Sequence, residues 1–152
     1  MKSKAAINIH IFLVAFLGIS AIGGGGALIL SPSGKLLGGL PVSILKNSPF
    51  EDFLYPGIIL FLVLGIFPCL VVYSLIKRPS NKLAESLNFF KDMHWAWSYS
   101  IYIAFALIIW LQVEMFFIQG VNWLHNFYMI LATAILFVAL LPQVRGFYKL
   151  IK

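Results

Sequence analysis

Few residues in this chain are equipped for chemistry, and the most telling is an acid inside an apolar run. Glu114 is the only carboxylate in His94–Gly120, HWAWSYSIYIAFALIIWLQVEMFFIQG. A carboxyl at membrane depth can relay a proton, hold a cation, or tie two helices together through a hydrogen bond. On a 3.6-residue wheel Ala96, Ser100, Ala104 and Glu114 fall within about 80° of one another. Small residues let a second helix approach closely, so this face, and the acid with it, is expected to point into a bundle. The turn at Gly120 is short, which folds the next apolar stretch back alongside and sets Tyr128 near Glu114 with His125 one turn away. Glu114, His125 and Tyr128 are therefore the candidates for ligand binding or proton relay. Asn126 lies at the same end; Gln112 falls on the opposite face of the wheel. A plain interhelical hydrogen bond is the alternative role for the acid.

A second pair is His10 and His94. Two histidines on different helices can ligate a haem axially, and they are the only haem candidates here. His125 lies at the opposite end of the spans, so no three-histidine transition-metal set forms, and no metal site is expected. Cys69 is the single cysteine, which excludes an internal disulfide and any Cys-x-x-Cys centre. Ser20, Ser74, Ser98, Ser100 and Thr133 have no base beside them in sequence. Hydroxyls in apolar helices commonly bond back to the backbone or across to a neighbour. The glycines at 23–26 lack the Lys-Ser/Thr pair of a phosphate loop. No nucleophilic or metal-assisted chemistry stands out, and the chain reads as non-enzymatic.

The elements that position these residues follow from bulk character. Of 152 residues, 61% are hydrophobic and 11% charged, too apolar for an ordinary soluble domain. About 20 apolar residues cross a hydrocarbon core, and four stretches qualify: about 5–22, 55–76, 95–119 and 123–141. Residues 1–152 thus form one domain: an all-α membrane protein, a four-transmembrane-helix bundle. Met1–Ile22 has some features of a secretory signal, but is read as a retained first span, and the glycine run after it allows a bend or a close helix approach.

Nine of the eleven basic residues fall on one side of this plan, leaving Lys35 and Lys46 on the other. By the positive-inside rule both termini are cytoplasmic. The net charge of +6 then serves anionic lipid headgroups rather than nucleic acid, for which no folded basic surface exists. Trp95 and Trp97 on the inner side, with Trp110 and Trp123 toward the outer, read as interfacial belts. In the cytoplasmic loop, 77–93, the spacing of Leu83, Leu87 and Phe90 predicts a helix lying on the membrane surface. Pro68 predicts a kink in the second span.

Between spans one and two, 31–54 reads SPSGKLLGGLPVSILKNSPFEDFL, too apolar for a free loop and too broken to span. It is expected to lie along the outer interface or fold onto the bundle mouth, as a seal or as a lid over a ligand. Pro41, Phe50 and Asp52 are the lid candidates. Ser48-Pro49-Phe50-Glu51 fits a capping box with proline at the first helical position, predicting a helical turn there.

Gly39-Leu40-Pro41, Ser48-Pro49-Phe50, Asp52-Phe53 and Pro56-Gly57, with Trp110-Leu-Gln-Val-Glu114 in span three, resemble a group of small uncharacterised bacterial four-helix inner-membrane proteins. The layout is also similar to that of DoxX-type membrane proteins. That resemblance implies a bacterial inner-membrane location. It does not carry over a redox activity, because the chain has no redox ligand set. Three functions stay open: an accessory or interaction subunit of a membrane complex or homo-oligomer; a binder or transporter of a small molecule, lipid or ion around Glu114; and a redox subunit holding quinone or haem.

Overall fold

In the structure, a computed structural model that describes residues 2–151, four helices are long and apolar enough to cross a membrane. They are helix α1 (Lys2–Leu30), a second span running Leu54–Lys77, helix α5 (Trp95–Ile118) and helix α6 (Trp123–Leu140). The second span is composite, made of α2 (Leu54–Ile59), a π-helical stretch (Leu60–Ile66) and α3 (Phe67–Lys77). Two short helices, α4 (Lys82–Ser86) and α7 (Pro142–Tyr148), lie outside the spans, and no strand occurs among the described residues. Helix α1 packs on the second span and on α6, while α5 packs on α6 and α3, which closes the four spans into a ring.

The first span does not stop at Ile22, and of the two readings of the glycine run it is the close helix approach, not the bend, that occurs. The helix passes unbroken through Gly23–Gly26 to Leu30. The reason lies opposite Gly25. A Cβ there would sit 2.7 Å from the Phe61 nitrogen and 2.8 Å from the Gly57 oxygen. Gly57 and Gly65 meet α1 in the same way: their Cβ atoms would fall 2.7 Å from Leu28 Cβ and 2.8 Å from Ile22 Cγ1. The two backbones therefore touch along a seam that only hydrogen at Cα permits, and dispersion contact along it holds the glycine-rich helix together.

Positions 57, 61, 65 and 69 on the second span all face this seam. A four-residue repeat overshoots an α-helical turn by about 0.4 residue each time and would drift off one face. The wider turns of the π-helical stretch absorb that drift. The same stretch ends at Ile66, two residues before Pro68, whose ring would crowd the carbonyl four residues back and whose nitrogen has no hydrogen to give. What the structure has on the N-terminal side of Pro68, where a kink was expected, is a run of π turns.

On α1 the buried positions Ile7, His10, Val14, Leu17, Ala21, Gly25 and Leu28 recur at three- and four-residue steps. On α5 the face Ala96, Ser100, Ala104, Leu107 and Leu111 is buried throughout. Trp95 and Trp97 are not belt residues. Both are buried, and the Trp97 indole donates to the Ala139 carbonyl at 2.9 Å while that of Trp95 donates to the Pro79 carbonyl at 2.9 Å. Ala139 lies in the last turn of α6, where carbonyls lack intrahelical partners.

Candidate functional site

Glu114 continues the buried face of α5 by one more step beyond Leu111, near the end of the span. Four residues separate it from Ile118, placing it about 6 Å inside the helix end. Its carboxylate Oε2 lies 3.7 Å from His125 Nε2 on α6, with the acid side chain 31% exposed and the histidine 8%. The Trp110 indole, one turn earlier on α5, also faces the carboxylate.

The His125 ring is oriented by the start of its own helix. Asn122 caps α6, its side chain accepting from the Leu124 N–H at 2.7 Å, and His125 Nδ1 accepts from the Asn122 N–H at 3.1 Å. A ring whose Nδ1 accepts a backbone N–H carries its hydrogen on Nε2, the atom that faces Glu114. A fixed donor and a carboxylate therefore converge on one spot at the rim of the bundle. Tyr128 is half-buried and packs edge-on to Phe127 at 5.3 Å; no hydrogen bond joins it to the pair among the described residues. Gln112 and Asn126 are exposed.

The segment before the second span folds back onto this bundle. Two 3-10 turns, Lys35–Leu37 and Val42–Leu45, bring Leu45 down beside Phe53 and Leu28, a small core of its own. The capping box predicted at Ser48 does not form. The Ser48 hydroxyl instead donates to the Leu45 carbonyl at 2.8 Å and accepts from the Phe50 N–H at 3.2 Å, closing a turn. The helix starts later, at Leu54, where Asp52 Oδ1 accepts the Leu54 N–H at 2.9 Å. Of the lid candidates, Pro41 is exposed at the head of the second 3-10 turn, and Phe50 packs on the small core and against the Tyr55 ring at 6.4 Å. Asp52 is engaged in starting α2. A cleft of about 360 Å³ beside them is lined by residues 49–52, 54 and 55, and Glu114 is not among its lining residues.

A second polar group lies at the opposite end, the end that bears both termini. His10 is fully buried in α1, with Nε2 2.9 Å from Ser100 Oγ on α5. Ser100 already donates to the Trp97 carbonyl at 2.6 Å, so its oxygen accepts from His10 Nε2–H. That leaves His10 Nδ1 as a bare acceptor, buried and without a partner, and Ser98 Oγ is likewise buried and unpartnered. An unmet buried polar group costs about 1–3 kcal/mol. One on α1 and one on α5, they are the unpartnered buried side-chain atoms among the described residues, and sequence reading missed them. The signal available was a histidine at a core position of the three-four pattern.

His94 does different work. Its Nδ1 caps α5 by accepting the Ala96 N–H at 3.2 Å, and its own N–H donates to the Tyr148 carbonyl at 2.8 Å. Burial holds this imidazole below its usual range, opposed by the nearby Glu85 carboxylate. His10 and His94 thus spend ring nitrogens on separate partners, and no group of three His, Cys, Asp or Glu side chains is arranged to hold a metal among the described residues.

No protein-family model matches the chain, and no curated protein or solved structure does so either. The geometry stands alone.

The loop at this end is tied down more tightly than its sequence foretold. The surface helix predicted there is only Lys82–Ser86, capped by the Asn81 side chain accepting from Leu83 and Ala84 N–H groups. Buried Asn88 then donates to the Met93 carbonyl at 2.8 Å and to Glu85 Oε2 at 3.1 Å. Tyr148, in α7, donates its hydroxyl to the Leu75 carbonyl at 3.0 Å. The helical donor for that carbonyl would be residue 79, a proline with no N–H. Burial pushes the Tyr148 hydroxyl up to about 12, the Arg78 charge pulling the other way.

Proposed function

We propose that this protein is a non-enzymatic subunit of the bacterial cytoplasmic membrane, with both termini cytoplasmic, that presents the Glu114–His125 pair to a partner. The partner is a second copy of the chain or a larger membrane subunit. One observation carries this reading: a carboxylate inside a membrane span is 31% exposed on the flank of the bundle. A carboxyl facing hydrocarbon is expensive, and such groups are almost always covered by protein or water. Within the chain the Trp110 indole faces this carboxylate from one side, and His125 Nε2, at 3.7 Å, stops short of a hydrogen bond to it. A polar group from a neighbouring helix would satisfy both at once. The orientation rests on the clustering of cationic residues at the terminus-bearing end.

The fixed Nε2–H beside a carboxylate also favours a second reading, a small polar or cationic ligand at that spot. Native mass spectrometry of gently extracted protein separates the two. The expected result is an oligomer or a co-extracted subunit that is lost in Glu114→Leu and partly retained in Glu114→Gln. A small molecule held by the wild type and lost in both variants would replace the proposal with the ligand reading. A bare protomer, unchanged by either substitution, would overturn both.

A further inference from the structure

Where α6 ends and α7 begins, the chain leaves a cleft of about 320 Å³ lined by Met93, Leu140, Pro142, Arg145, Gly146 and Lys149. Leu140 is the last residue of the fourth span and Pro142 the first of α7. The cleft therefore opens at the level where acyl chains give way to headgroups. Its floor and its charges come from different places. Met93 and Leu140 supply apolar wall; Arg145 and Lys149, four residues apart, extend from one side of α7 and its C-terminal edge. Both are exposed, and neither forms an ion pair among the described residues.

Between the two cations lies Gly146. A Cβ built there meets nothing within 4 Å. This glycine is unlike those of the α1 seam, since neither a close backbone approach nor a positive φ requires it. What its missing side chain provides is room in the cleft. The backbone around it is held firmly: Tyr148 is anchored to Leu75, and the chain beyond it pairs with residues 92 and 94 through Leu150 N–H to the Asp92 carbonyl and His94 N–H to the Tyr148 carbonyl, 2.9 and 2.8 Å. Arg78 packs over the Phe147 ring, 4.5 Å from its centroid, adding a further positive charge on the neighbouring side of α7.

From this arrangement we infer that the cleft seats the phosphate of an anionic phospholipid, clamped between Arg145 and Lys149, with the lipid's glycerol and upper acyl carbons against Met93 and Leu140. A guanidinium and an ammonium together suit a phosphodiester: the first gives paired donors, the second a point charge. The apolar wall at the end of a span selects a lipid over a free anion. This site lies at the opposite end of the bundle from Glu114, and its existence does not depend on the partner reading.

The test uses the full chain in nanodiscs of phosphatidylcholine doped with phosphatidylglycerol, with native mass spectrometry counting retained lipid. Wild type is expected to keep one phosphatidylglycerol in preference to phosphatidylcholine. Arg145→Gln with Lys149→Gln should weaken that retention roughly thirtyfold, each cation near the surface being worth about 1 kcal/mol. Gly146→Leu keeps both charges and starts from a Cβ that meets nothing within 4 Å; its side chain occupies the cleft that Gly146 lines and should weaken retention to a similar degree. Loss in the charge variant with full retention in Gly146→Leu would mean diffuse surface attraction and would overturn the site. Equal retention of the two lipids would overturn it as well. Displacement by millimolar inorganic phosphate would overturn the lipid assignment in favour of a soluble anion. Thermal midpoints within a few degrees of wild type show that the variants are folded; were the charge variant to unfold, Gly146→Leu alone decides.

Discussion

The glycine run of α1 offers a sharp test of the packing, because neighbouring glycines should respond with opposite sign to the same substitution. Gly25→Ala would place a methyl 2.7 Å from the Phe61 nitrogen, 2.8 Å from the Gly57 oxygen and 2.9 Å from Phe61 Cα. All three are backbone atoms, so no side-chain rotation relieves the contact, and the two spans must part. Overpacking of this kind costs about 1–3 kcal/mol. Helix propensity returns at most about 1 kcal/mol of that. Gly23→Ala, two residues earlier, meets nothing within 4 Å and keeps only the propensity gain. The expected gap between the two variants is therefore about 1–3 kcal/mol, with Gly23→Ala at or above wild type and Gly25→Ala below it. Thermal unfolding in a single mild detergent, followed by far-UV circular dichroism, reads the order directly. If Gly25→Ala proved as stable as Gly23→Ala, the seam between α1 and the second span would be wrong.

Two further predictions concern pH at the terminus-bearing end. Tyr148 has a folded pKa of about 12 against about 10 when exposed. The folded state holds its proton more tightly, so this contribution is intact below pH 10 and is lost as pH rises from 10 toward 12. Stability should fall over that window by roughly 2 kcal/mol more in wild type than in Tyr148→Phe, and parallel melts at pH 9 and 11.5 check it; equal losses would show that the hydroxyl is not buried as described. His94 is shifted downward by burial, so its contribution is present above the unfolded value near 6.5 and is lost as pH falls below it. Protonation also removes the Nδ1 lone pair that caps α5. His94→Asn, which supplies another capping oxygen, should flatten the decline between pH 7 and 5; an unchanged slope would assign the acid sensitivity elsewhere.

The four spans were legible because a 20-residue apolar run has few other readings, and the buried face Ala96–Ser100–Ala104 was legible because helical period alone places it. What sequence did not disclose was set by contacts across the bundle. The glycine run reads as a helix breaker on propensities measured in water, but here its backbone at Gly25 is packed against that of Gly57 and Phe61. The tryptophans at 95 and 97 match an interfacial belt in pattern, whereas two orphan carbonyls, at 79 and 139, draw their indoles inward. Ser48 satisfied a capping consensus, yet its hydroxyl had a nearer use in the preceding turn. The short hairpin set Tyr128 near the acid and His125 one turn away, whereas the contact that forms is between Glu114 and His125, because the Asn122 cap turns that ring toward the acid. The contact of His10 with Ser100, ninety residues apart, has no local signature at all.

The way α7 is fastened has a consequence for the order in which the protein can be completed. Spans one and two leave the ribosome first and carry the whole glycine seam between them, so they can pair before the rest exists. The terminus-bearing end cannot close so early. The Leu75 carbonyl and the His94 N–H both wait for Tyr148, which is made only after all four spans. A nascent chain halted after α6 would hold four inserted helices with that end unlatched, and its unmet backbone groups would be open to water and to quality-control proteases until the final turn arrived.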